Sequence, residues 1–296
     1  MRMALFDCGP RRRNKVSPEL FKLPWLEIPV WSYGFMLATA LAAGLWMTTQ
    51  LAARDGLPKS KVYKLGLCLI PSALLGAKLI ALVVDWLQSS GGPQFSPALM
   101  QGSGAFLGGL LMAIASSGVL MRAWRLPWLK TADSFAPSIA LGYAIARIGC
   151  FMAGCCWGKP TTSWIGVTFS DEAHALAGTP VHEALVPTQL LESAVGLLLL
   201  AFLLRLRKRR AFDGQILLAY LALHSVARLA VEFLRDNPPS RVAGLSAWQL
   251  ISAALFVFAA GLYIKLQSAE TGSKRRQEAA SAFNPSCSHV AGIGGE

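Results

Sequence analysis

Seven apolar runs recur along the chain, at roughly 30–51, 62–86, 104–122, 131–153, 187–205, 213–235 and 245–265, each long enough to cross about 30 Å of hydrocarbon as a helix. Backbone polar groups inside a bilayer have no water to bond, so runs of this length must satisfy their own N–H and C=O groups as helices. Barrel strands would alternate apolar and polar residues and be about half as long. Only 15% of the 296 residues are charged, where a soluble domain carries roughly a quarter, and mean hydropathy is +0.46. These features predict an all-α integral membrane protein of about seven transmembrane helices. The membrane domain covers 30–266, after a polar N-terminal segment over 1–29 and before a polar tail, 267–296, expected to be disordered.

The formal charge of +12 would suit a nucleic-acid partner if it formed one patch, but it follows the spans instead. Arg54, Lys59, Lys61 and Lys64 follow the first span, Arg122, Arg125 and Lys130 the third, Arg205 and Arg207–Arg210 the fifth, and Lys265 and Lys274–Arg276 the seventh. The intervening loops hold little beyond Lys159 and Arg241. The positive-inside rule then predicts a multi-pass membrane protein with the N-terminus outside and the C-terminus cytoplasmic. A small external region is expected over about 154–186, between helices four and five. Arg11, Arg12, Arg13 and Lys15 oppose that orientation and are outvoted by four loops. Met1–Pro24 lacks an apolar h-region, so no cleaved leader is expected, and nucleic acid is excluded as a partner.

Charges at membrane depth are costly and mark a protein interior, a wet cavity or a ligand. Counted at 1.5 Å per residue, Lys78 lies about 21 Å up its span, Arg147 about 24 Å and Arg228 about 22 Å, and Glu192 falls in the first turns of a descending span. Four helices therefore bring ionisable groups to one level in the outer half. His224, Arg228, Glu232 and Arg235 follow each other at helical spacing on one face, so an intrahelical Arg228–Glu232 pair competes with a ligand site there. An excess of inward cations calls for an anion. A phospholipid headgroup fits, because the planar guanidinium fork matches phosphate, and a transported anion competes with it.

The fourth span ends in Ala146-Arg147-Ile148-Gly149-Cys150-Phe151-Met152-Ala153-Gly154-Cys155-Cys156-Trp157-Gly158. This segment resembles the signature of the bacterial prolipoprotein diacylglyceryl transferases, approximately Gly-Arg-x-Gly-Asn-Phe-x-Asn-Gly-Glu-x-x-Gly, and matches it at Arg147, Gly149, Phe151, Gly154 and Gly158. Trp31-Ser32-Tyr33-Gly34, Gly76-Ala77-Lys78, Phe106-Leu107-Gly108-Gly109-Leu110, Asp133 with Ala136-Pro137, Pro187-Thr188-Gln189-Leu190-Leu191-Glu192, and Arg228 through Glu232 to Arg235 resemble further family segments in the same order. The resemblance implies transfer of the diacylglyceryl group of phosphatidylglycerol to the lipobox cysteine thiol of a prolipoprotein signal peptide, forming a thioether. It implies catalytic roles for Arg147, Arg228 and Glu232, and substrate contacts by Arg147, Arg228, Tyr33, Lys78, Gly108, Gly109, Gln189, Glu192 and Arg235. Membrane lipid is the further partner, and no cofactor or metal is expected.

The chain departs from the family at informative points. The family histidine before Gly-Gly-Leu is Leu107 here, which cannot accept a proton; the signature's polar residues are Cys150, Ala153 and Cys155, and the arginine of the second span is Lys78. His174, His182 and His224 are the remaining imidazoles near the outer level, and none is assigned as the base. Cys150, Cys155 and Cys156 form a thiol cluster in sequence whose expected pairing, if oxidised, is Cys150 with Cys155 or Cys156, since bonding adjacent cysteines strains the chain. They equally read as small packing residues, or as soft-metal ligands without the paired spacing that makes a zinc reading strong. Two other functions therefore stay open: a non-catalytic or redox-responsive homologue that binds phospholipid or a thiol peptide, and an anion transporter, although the uneven spans show no repeat.

Overall fold

The structure, a computed structural model, describes residues 19–22, 29–88, 103–235 and 245–283. Seven long helices account for most of them: α1 (Ser32–Arg54), α2 (Lys59–Gln88), α3 (Ser103–Ala123), α4 (Trp128–Ala153), α6 (Thr188–Arg207), α7 (Gln215–Glu232) and α8 (Ala247–Phe283). The short α5 (Asp171–Ala177) lies in the long loop between α4 and α6. Two short antiparallel strands, β1 (Glu19–Lys22) and β2 (Pro29–Trp31), precede α1, the first within the polar N-terminal segment and the second at its end. Six helices are long and apolar enough to cross a membrane, and α3 adds a shorter apolar stretch, Leu107–Ala123. Large apolar side chains such as Leu74, Leu198, Val257 and Phe258 point outward, as expected where the surrounding solvent is lipid.

Two helix ends differ from their sequence expectation. The sixth span was expected to run helically to 235, yet α7 stops at Glu232 and Arg235 sits in a bridge antiparallel to Gly158. At the other end of the chain, α8 continues helically through 267–283, most of the tail expected to be disordered. Its Ala, Glu, Gln, Lys and Arg residues are good helix formers and Lys274 pairs with Glu270 one turn away at 3.5 Å.

Small residues decide how the helices meet. α2 packs chiefly on α3, α1 on α4, α4 on α6, and α7 on α8. At the α2–α3 crossing a methyl group on Gly76 would run into the Gly108 carbonyl and Met112, and one on Gly108 into the Gly76 carbonyl and Ile80. Such crossings bring backbones together where lipid gives no hydrophobic drive for helix association. Gly108→Val is expected to force this hairpin apart and cost about 1–3 kcal/mol, read as a lower unfolding midpoint of the detergent-solubilised protein.

α4 has small residues on two sides. Gly44 of α1 lies against the Ser138 carbonyl, while Gly196 of α6 packs on Ala144 and the Ala140 carbonyl, and Ser193 donates to the Ala144 carbonyl at 2.9 Å. At the basic end of the bundle, Asp133 of α4 is fully buried and accepts from the Gly214 and Leu217 amides at 2.8 and 2.9 Å, so one helix caps the N-terminus of another. Asp55 joins this cluster through Arg207 at 2.7 Å and Arg210 at 3.6 Å.

Candidate functional site

The close α4–α6 crossing sets the level of the site. Arg147 lies three residues beyond Ala144 on the ascending α4, and Glu192 four residues before Gly196 on the descending α6, so the small-residue contact brings the two charges face to face. Arg147 Nε approaches a Glu192 carboxylate oxygen at 3.2 Å. The second Glu192 oxygen lies 3.9 Å from Arg228 of α7, which also bonds Glu232 at 2.6 Å. Ser246 donates from its hydroxyl to Glu232 at 2.8 Å, tying the start of α8 into the network. Glu192 and Glu232 are almost wholly buried, and an unpaired charge there would be prohibitive.

Aromatic faces hold the cations. Arg147 lies 4.9 Å from the Tyr143 ring centre and Arg228 5.8 Å from that of Trp248. His224 is sandwiched between Tyr143, edge-on at 4.9 Å, and Tyr220, stacked at 5.3 Å. Tyr143, Glu192, His224 and Arg228 line a narrow cleft among α4, α6 and α7. Four of these partners, Tyr143, Tyr220, Ser246 and Trp248, went unread in the sequence; Tyr143 sits one helical turn before Arg147, which is the signal that could have found it.

The signature loop is pinned above this cleft. α4 ends in a Schellman cap: Gly154 adopts φ 73°, its N–H donates to Phe151 O at 3.1 Å, and the Cys155 N–H donates to Cys150 O at 3.1 Å. A Cβ on Gly154 would meet that of Ala173 at 2.6 Å, so glycine is required by space as well as by φ. Gln189 donates from its side-chain amide to Cys155 O at 2.7 Å, and Thr188 from its hydroxyl to Cys156 O at 2.9 Å. The Gly158 and Lys159 amides donate to Val186 O and Leu234 O at 3.0 and 2.8 Å, tying the loop to the chain on either side of the cleft.

This fold brings together Arg147, Glu192, Arg228 and Glu232, with Gln189 and Arg235 attached through the loop. Tyr33 is half exposed at the start of α1, within electrostatic reach of Arg147 and the three cysteines, and its backbone abuts Gly149. Lys78 is different: it lies exposed on α2, which packs on α3, and it makes no ion pair with another described residue. Gly108 and Gly109 face α2, at Gly76 and Ala73, and Leu107 is half exposed on the same helix. His174 donates from Nδ1 to Thr179 O, 2.8 Å away, within the α5 region, and His182 is exposed.

Cys150, Cys155 and Cys156 are free thiols whose sulfurs all lie within 4.8 Å of one another. Cys8 and Cys287 fall outside the described residues. Hydrogen bonds from the Cys150 and Cys155 thiols, followed by the charges of Arg235 and Arg147, pull the Cys156 thiol below its ordinary value and favour its thiolate.

A sequence model of the prolipoprotein diacylglyceryl transferase family matches residues 18–265. The chain belongs to that family. Among its relatives, phosphatidylglycerol–prolipoprotein diacylglyceryl transferase from Clostridium tetani is 32% identical over 254 residues, covering 84% of this chain and 96% of the relative. The protein of the same name from Geobacillus kaustophilus is 33% identical over 260 residues, covering 85% and 93%, and phosphatidylglycerol–prolipoprotein diacylglyceryl transferase 2 from Clostridium perfringens is 31% identical over 258, covering 83% and 96%. For this transferase-family chain, the resemblance seen in its motifs extends over nearly the whole length of its relatives. Gln189→Ala is expected to free the signature loop, raising the rate of maleimide labelling at Cys155 by about tenfold, the worth of one buried hydrogen bond.

Proposed function

We propose that this chain moves the diacylglyceryl group of phosphatidylglycerol onto the cysteine thiol of a prolipoprotein signal peptide, at the ionic cluster of α4, α6 and α7. One observation carries the assignment to this cluster: Arg235. Arg147 and Arg228 are matched by Glu192 and Glu232, whereas Arg235 makes no ion pair with a described residue and its buried Nε has no hydrogen-bond partner. Among the described residues of the cluster three guanidinium groups meet two carboxylates, and a phosphodiester headgroup brings one negative charge. Guanidinium groups already oriented by carboxylates and aromatic rings bind phosphate without reorganising, and they stabilise charge as it develops on the departing oxygen.

In the reaction the acceptor sulfur attacks the glyceryl methylene carbon. The S–H bond breaks with its proton passing to water, a C–S bond forms, the C–O bond to phosphate breaks, and that bond's electron pair leaves with glycerol phosphate. Glu192 orients Arg147 and Arg228, and Glu232 holds Arg228 against Ser246. Tyr33, at the open end of α1, borders the approach of the lipid.

The basic end of α6 gathers with Asp55, at the end of α1, and Asp133 at the end of the bundle opposite this cluster, which supports a cytoplasmic placement for them and an outer-leaflet placement for the site in a bacterial inner membrane. Expression in a bacterium depleted of its own transferase tests the reading. Restored growth and restored lipoprotein processing are expected; full-length expression in the membrane without either result would contradict it.

A further inference from the structure

We propose that Cys150, Cys155 and Cys156 bind a soft metal ion of the zinc class through three sulfurs. The spacing lacks a Cys-x2-Cys pair and by itself argues against a metal, but the cap of α4 changes the geometry. The 6→1 hydrogen bond from Cys155 to Cys150 O folds the chain back so that the fourth-last residue of the helix and the second residue beyond it lie side by side. Cys156 then takes φ 63°, a left-handed conformation that side chains other than glycine adopt at a cost, and this brings its sulfur to the same spot. The conformation is maintained by Thr188 and Gln189, which occupy the Cys156 and Cys155 carbonyls.

Sulfurs within 4.8 Å of one another need to move by about 1 Å or less to reach the 3.8–4.0 Å separation that Zn–S bonds of about 2.3 Å require. Three thiolates and a divalent ion carry one net negative charge, and Arg147 and Arg235 lie within electrostatic reach of Cys156. Cys150 is buried while Cys155 and Cys156 are partly open, so the ion is enclosed on one side and accessible on the other.

Three protein ligands with a fourth position open is the arrangement of catalytic zinc, not structural zinc. A consequence that rests on the transferase reading is that the fourth position takes the acceptor thiol as its thiolate, the proton passing to water. That would supply the activation that Leu107 cannot.

Full-length protein in lipid nanodiscs, loaded with Zn2+ and gel-filtered, is expected to retain about one zinc per chain, and loading with Co2+ is expected to give sulfur-to-cobalt charge-transfer absorption. The triple variant Cys150→Ser, Cys155→Ser, Cys156→Ser is expected to lose at least about nine-tenths of the metal, while Cys68→Ser retains it. Size-exclusion profiles establish that both are folded, and the cobalt spectrum of the unmodified protein needs no variant. Zinc below about a tenth per chain, or equal retention by the triple variant, would overturn the site. A lipobox peptide bearing cysteine is expected to shift the cobalt bands and its serine analogue to leave them; identical spectra would overturn thiol binding. Metal bound without any transfer contradicts the transferase reading alone, and full transfer by the triple variant contradicts the metal's role alone.

Discussion

Replacing Arg228 with alanine is expected to lower diacylglyceryl transfer by about 10²–10³-fold, the effect of deleting one preorganised donor at a developing oxyanion. The loss has two physical parts. The phosphate loses a donor held in place by Glu232 at 2.6 Å and by the Trp248 face. Glu192, almost wholly buried, also loses one of the two guanidinium groups that offset its charge, which weakens the attraction for the headgroup. Arg228→Lys keeps the charge without the planar fork and should recover only part of the rate. Initial rates at saturating lipid, with the amount of folded protein checked by size exclusion, read the effect. Transfer within twofold of the unsubstituted chain would remove Arg228 from the reacting centre.

The largest effect on stability belongs to Asp133→Ala, at the other end of the same helix. Its carboxylate accepts from the Gly214 and Leu217 amides and faces Arg210 at 3.7 Å, with no exposure to solvent. Removing it orphans two amides at the start of α7 and leaves Arg210 short of a partner, at an expected cost of about 3–5 kcal/mol. Asp133→Asn keeps an acceptor for one of the amides and should cost less. Unfolding in mixed micelles by a denaturing detergent measures both, and an alanine variant within 1 kcal/mol of the unsubstituted chain would show that the amides find other partners.

How far the sequence reached depends on the kind of information each feature needs. Hydropathy and the basic loops made the helical bundle legible because they are one-dimensional properties of the spans. Counting rise along each helix put Arg147, Glu192 and Arg228 at one level, and the structure joins them. The same count put Lys78 there too. Height does not reveal which neighbour a helix packs on, and Gly76 commits α2 to Gly108 of α3, away from the cleft.

Spacing misled at Arg235 because helical periodicity was extended past Glu232. Asp236-Asn237-Pro238-Pro239 follows, and a proline pair disfavours continued helix before it. The outcome matters for the site, since the bridge to Gly158 carries Arg235 to the signature loop. The thiol cluster was visible as residues, but its compactness was not. It arises from a helix cap and a positive φ at Cys156, and neither is fixed by the Cys-x4-Cys-Cys spacing.

The central claim is that the Arg147–Glu192–Arg228 network with Arg235 holds a phosphate whose glyceryl group is transferred to a thiol. Purified protein incubated with phosphatidylglycerol vesicles and a lipobox peptide tests it in a single mass measurement of the peptide. The expected result is a diacylglyceryl adduct on the cysteine sulfur, with equimolar release of glycerol phosphate and no adduct on the serine analogue. Phosphatidylglycerol retained by the protein while the peptide keeps its original mass would contradict it.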